Sequence, residues 1–193
     1  MLPLLVACGR SAPMRLYALA ESPSSSRAGY SGAPLRVEAV NLPPEADDIR
    51  MLRHTGAYEL GGRENERWTA PLPYLIRQTL ARDLAARLPD GVTVYPDAPR
   101  PAGTVSVVVH VLTLEEAANK LTMRASWTIH GTGTEGFLVR GEKTLSASVD
   151  GSGESTSAAL SKVSAELADA IVGGAVLLPA ASASAATGRP AAR

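Results

Sequence analysis

Val105-Ser106-Val107-Val108-Val109-His110-Val111 and, after a short break, Leu121-Thr122-Met123-Arg124-Ala125-Ser126-Trp127-Thr128-Ile129 decide the fold. Successive side chains of an extended chain point to opposite faces. Val105, Val107, Val109 and Val111 therefore share one face, with Ser106, Val108 and His110 on the other. Leu121, Met123, Ala125, Trp127 and Ile129 repeat the period. Beyond the turn at Gly131–Gly136, a third strand carries Phe137, Val139, Leu145, Ala147 and Val149. Glu115 to Asn119 reads as the first connection, with Glu115-Glu116 a solvated corner. The three strands predict an antiparallel meander.

On either side of the meander the period changes. Leu72, Leu75, Ile76, Leu80, Leu84 and Leu88 recur at the spacing of one helical face, behind Pro71 in the first turn. Arg77, Arg82, Asp83 and Arg87 fall on the remaining, wetter arc, and Pro89-Asp90-Gly91 closes the helix. A second helix, from about Ser155 to Val172, aligns Leu160, Val163, Leu167, Ala170 and Ile171. Leu35 to Val40 alternates as a strand and ends at Leu42-Pro43-Pro44. Ile49 to Leu52 and Ala57 to Leu60 are short strand candidates, and Glu59 to Arg67 is a charged run that reads as a solvated loop or a docking surface. Together these predict a single α/β domain over residues 35–178, a largely antiparallel mixed sheet with two long helices packed on it.

The ends differ in kind. Gly9 to Pro34 is rich in Ser, Ala, Gly and Pro, the composition of a flexible tether. Within it Met14 to Leu19 could pair as a short edge strand. Residues 179–193 have almost nothing to bury and read as a disordered tail.

Composition narrows the function. The chain has 193 residues, 45% of them hydrophobic and 20% charged, with 19 basic and 19 acidic side chains. That balance carries no electrostatic footprint for nucleic acid. One cysteine excludes an internal disulfide framework and a multi-cysteine metal site. No apolar stretch approaches the roughly 18 residues of a membrane helix. His54, His110 and His130 lack metal-ligand spacing. Gly131-Thr132-Gly133 and Gly151-Ser152-Gly153 lack the Lys-Ser/Thr of a phosphate loop. No serine sits in a nucleophile elbow. We expect no catalytic residue, no metal and no cofactor.

The single cysteine stands in Leu5-Val6-Ala7-Cys8-Gly9, which looks like a lipobox. Cleavage before Cys8 would leave 1–7 as a signal-peptide remnant, Cys8 as the lipidated first residue, and 8–34 as the tether. Met1 to Ala7 is shorter than the about 15–30 residues of a secretory signal. Either the true start lies upstream or Cys8 is a small hydrophobe in a frayed end.

The order of these pieces resembles the ABC-type transport auxiliary lipoproteins (PqiC/YmbA-like). The resemblance rests on Leu5 to Cys8, Tyr17-Ala18-Leu19, Val37 to Pro43 and Arg67-Trp68-Thr69-Ala70-Pro71-Leu72. It continues through Leu80, Asp83 and Leu84, Val105 to Val111, and Ala125 to Ile129. It implies a non-enzymatic lipoprotein, lipid-anchored in the outer membrane and facing the periplasm, since Gly9 rather than Asp follows the cysteine. It also implies work with an ABC transporter and an MCE-domain protein that move lipid between inner and outer membranes, with a homo-oligomer as a further expectation. An envelope lipoprotein with a structural or assembly role is the alternative. Arg67 and Trp68 are the candidate partner-binding residues, because Trp and Arg are enriched at binding hot spots. Trp68 reads first as a plug closing the core before the helix and second as a partner-facing residue.

Overall fold

The structure is a computed structural model and describes residues 12–24, 26–56, 58–131 and 137–178. The expected lipidation site Cys8, the signal remnant 1–7 and the tail 179–193 lie outside the described residues. Elements run β1 (Arg15–Tyr17), β2 (Leu35–Asn41), β3 (Arg50–His54), β4 (Leu60–Trp68), α1 (Leu72–Arg87), β5 (Thr93–Val94), β6 (Val105–Ala117), β7 (Lys120–His130), β8 (Phe137–Ser148) and α2 (Gly153–Ala175).

The meander is present as read. β6 pairs antiparallel with β7, with Val107 opposite Ile129, Val109 opposite Trp127 and Val111 opposite Ala125. β7 pairs antiparallel with β8, Met123 opposite Leu145 and Trp127 opposite Gly141. β2 adds to the other side of β6 in parallel, and β5 pairs parallel with β2, giving the order β5-β2-β6-β7-β8. The valine face and its continuation in Met123, Ala125 and Ile129 are buried. α1 and α2 lie across that face and against each other. They contribute Ile76, Leu80 and Leu84 from α1, and Leu160, Val163, Leu167 and Ile171 from α2. The opposite face carries Arg36, Ser106, Arg124, Ser126 and Thr128 and stays wet or half-wet. The predicted α/β architecture is therefore the observed one.

A second sheet of three strands, β1-β4-β3, stands beside the first. Its central strand is β4, so Leu60 to Arg67 of the charged run is sheet rather than the expected solvated loop. The first hairpin connection is also shorter than expected. β6 and β7 stay paired to Ala117 and Lys120, leaving only Ala118 and Asn119 to turn, with Ala118 at φ 51°. Glu116 is thus a strand residue, 7% exposed, and not a solvated corner.

The wet arc of α1 needs the same correction. Asp83 is fully buried and Arg87 is 6% exposed, because the stretch expected as a tether is packed over them. Leu19 and Tyr30 insert into the core. At Ala18, Ala20, Ser22 and Ala28 the backbone of this strap is held by groups of both helices. The Ser157 hydroxyl donates to the Ala18 carbonyl, and the Ala20 N–H donates to Ser161 Oγ at 3.1 Å. The Ser22 N–H donates to Asp83 Oδ1 at 2.8 Å, and Arg87 Nη1 donates to the Ser22 carbonyl at 3.2 Å. The Arg87 carbonyl accepts from Ala28 N–H at 2.8 Å. Asp83 Oδ2 has no partner. Burial pushes the Asp83 carboxyl up to about 6, against the opposing pull of the Ser22 N–H and the Arg87 charge.

Candidate functional site

The two sheets do not close on each other completely. Between them lies a cleft of about 360 Å³, lined from six elements. β3 supplies Leu52, β4 Leu60 and Trp68, α1 Leu72, β6 Leu114, β7 Leu121 and α2 Leu160. Trp68, Leu72, Leu121 and Leu160 are buried and form the floor; Leu60 is exposed at the lip. The mouth is polar, with Arg50, Arg53 and His54 from β3, Glu45 from the β2–β3 connection and Glu115 from β6.

The floor and its flank depend on the irregular course of β4. Arg50 of β3 is opposite Arg67, and Leu52 is opposite Gly62, so Met51 alone faces the four residues Arg63 to Glu66. That bulge, with Asn65 at φ 58°, re-aims side chains that a regular strand would send elsewhere. Arg63 turns inward to an ion pair with Glu116, their side chains 8% and 5% exposed. Thr156 Oγ1 donates to the other oxygen of Glu116 at 2.7 Å. Glu66 accepts from the Tyr17 hydroxyl at 3.1 Å and lies 3.7 Å from Arg63 Nε. This buried polar row ties β1, β4, β6 and α2 together at one end of the cleft. α2 can approach so closely because it begins at Gly153, where a Cβ would lie 2.6 Å from the Tyr17 ring and 2.7 Å from Glu66 Oε2.

The candidate pair Arg67 and Trp68 is split by the pleat. Neighbours on a strand face opposite ways. Trp68 is 4% exposed and belongs to the core and the cleft floor. Arg67 is half-buried, and its Nη1 donates to the carbonyls of Glu66 at 2.7 Å and Arg63 at 3.1 Å, pinning the bulge. Arg63, Glu66 and Glu116 were not visible as a set, since no spacing in the sequence brings β4 to β6. An inward-facing Arg with a Glu three positions on is the one local trace.

At the mouth, Arg50 donates to Asp48 Oδ2 at 3.0 and 2.7 Å. These bonds hold the Asp48 carboxyl below its usual range and raise the Arg50 guanidinium. Arg53 has no carboxylate within 4.0 Å among the described residues. His54 lines the mouth, while His110 and His130 lie on the outer face, where they meet Asn41 and Thr128. Among the described residues no three His, Cys, Asp or Glu are grouped to hold a metal ion.

A two-layer domain with a secondary sheet, an apolar cleft and a fixed polar row has the make-up of a binding or docking module. The model of the ABC-type transport auxiliary lipoprotein component family matches residues 17–172, and the chain belongs to that family. Its description is a transport role rather than a reaction. The fold is shared with two solved structures. One, from an uncharacterized protein, has a TM-score of 0.67 at 18% identity, covering 83% of this chain and 97% of that one. The other, from Xanthomonas campestris, has a TM-score of 0.64 at 11% identity, covering 82% and 93%. No curated protein matches the sequence significantly.

Proposed function

We propose that this protein is a non-enzymatic, periplasm-facing accessory of an ABC/MCE-type lipid transport system, acylated at Cys8 and held on the outer membrane. The observation that carries the reading is the family match, which spans both sheets and both helices. Among the described residues no helix is long and apolar enough to cross a membrane, in keeping with attachment through a lipidated N-terminus. Anchoring by more than one acyl chain is stable, at about 0.8 kcal/mol for each buried methylene. Gly9 behind the cysteine favours the outer membrane. The domain docks the far end of an MCE-domain assembly, with self-association of the accessory around it. In this reading Arg67 stiffens the docking strand from one face and Trp68 supports it from the other.

The test is a mild-detergent pull-down of the tagged protein, expressed from its native upstream sequence, with mass spectrometry of partners and of the N-terminal peptide. The expected result is an MCE-domain protein together with an acylated Cys8. Acylation without that partner would replace the transport reading with an assembly role, and an unmodified chain would remove the anchor as well.

A further inference from the structure

We propose that the cleft between the two sheets binds one single-chain amphiphile whose head carries an anionic oxygen. This goes beyond a docking role, and it holds or fails whether or not a transporter is the partner. Three features carry it. The first is shape: at about 360 Å³, the cleft sits at the small end of the roughly 300–1,000 Å³ range of ligand sites, which suits one chain rather than a two-chain lipid.

The second is the chemistry of the floor. Trp68, Leu72, Leu121 and Leu160 are apolar and buried, and the buried carboxylate that borders them is paired. Glu116 is neutralised by Arg63 and bonded by Thr156, so the cleft offers an acyl chain no unpaired carboxylate at that end. The inner end of the cleft is therefore leucine and tryptophan, against which an acyl chain lies without stranding a polar group.

The third is the mouth. Arg50 is occupied by Asp48, whereas Arg53, next along β3, has no carboxylate within 4.0 Å among the described residues. A guanidinium at the open end of an apolar cleft is a docking point for a phosphate or carboxylate oxygen. Glu45 and Glu115 share the mouth, so a head with a cation beside its phosphate meets both signs. A lysophospholipid therefore fits better than a fatty acid.

Trp68 makes the site observable. Bromine on an acyl chain quenches a tryptophan it touches, and Trp127 lies away from the cleft, against Gly141. The purified protein is titrated with acyl-brominated lysophosphatidylcholine and, separately, with 9,10-dibromostearate, both below their micelle concentrations. Saturable quenching at one ligand per chain is expected, lost in Trp68→Phe. Leu114→Tyr, at a half-buried position in the cleft wall, adds no indole to the readout and should weaken binding several-fold by filling part of the cleft. Arg53→Glu, at an exposed position, should weaken the lysophospholipid about fivefold. Equal binding of stearate would identify the anionic oxygen alone as the recognised head; weaker stearate binding would identify the zwitterionic phosphate head. Absence of saturable quenching, quenching that survives Trp68→Phe, or an affinity unchanged by Leu114→Tyr would overturn the proposal. An unlipidated chain or a missing transporter partner would leave it standing.

Discussion

Replacing Asp83 by Asn should stabilise the protein at neutral pH and make it less sensitive to pH. Asp83 is fully buried, one carboxylate oxygen has no partner, and burial lifts its carboxyl from 3.8 to about 6. Between those values the folded chain holds a proton that the unfolded chain has released. Stability therefore falls as pH rises from about 4 to about 6 and is level above. One pH unit in proton affinity is about 1.4 kcal/mol, so the full climb is worth about 3 kcal/mol of destabilisation at pH 7.5. Asn keeps an oxygen for the Ser22 N–H and presents no buried charge. It gives up the attraction to Arg87, 3.7 Å away, but Arg87 keeps Asp169 and two backbone carbonyls. We expect Asp83→Asn to gain about 1–3 kcal/mol at pH 7.5, or about 2–4 °C in Tm for each kcal/mol in a chain of this size. Urea unfolding of both proteins from pH 4.5 to 7.5 measures the difference directly, with the other titrating groups cancelling. The gain should begin to shrink as pH falls below about 6 and approach zero only towards pH 4. A variant less stable than its parent at pH 7.5, or a difference that does not change with pH, would refute the reasoning.

Two further outcomes follow from the cores of the two sheets. Arg63→Met leaves Glu116 and Glu66 buried without their cation, which should cost about 3–5 kcal/mol in urea unfolding; adding Glu116→Gln to it should restore part of the loss. Gly141→Ala places a Cβ 2.2 Å from the Trp127 ring, and the ring must shift, costing about 1–3 kcal/mol and changing the tryptophan emission.

Strict alternation made β6 and β7 readable, and β8 through Leu145 and Ala147, because a buried face with a period-two pattern leaves little choice of register. The leucine rows of α1 and α2 were readable for the same reason at the helical period. β4 was not. Its residues Arg63, Glu64, Glu66 and Arg67 are charged, and it is interrupted by a bulge, so neither period appears in it. Its strand character comes from being paired on both sides, by β1 and β3, which no local pattern contains. Asp83 and Arg87 sit where a helical wheel predicts water. The strap that covers them is Ser-, Ala- and Pro-rich and has no periodicity, and its contacts are mostly backbone groups meeting side chains. Glu116 belongs with these, since its partner is contributed by the strand the sequence concealed. At the cleft, the apolar lining was visible residue by residue, but its convergence from six elements was not. The splitting of Arg67 from Trp68 follows from the strand pleat once β4 is known.

The position of β1 determines how the domain bears load. β1 is the first described element, an edge strand parallel to β4 with Arg15 opposite Glu66 and Tyr17 opposite Trp68. A pull on the N-terminus along the strand axis strains its ladder bonds together, in shear, rather than opening them one after another. Force then passes to β4, whose bulge carries Arg63 and Glu66, and only later to the strap held by Asp83, Arg87, Ser157 and Ser161. Drag on the N-terminal side of β1 would thus be felt first at the wall of the cleft and at the start of α2, which lies against Tyr17, with the meander behind them.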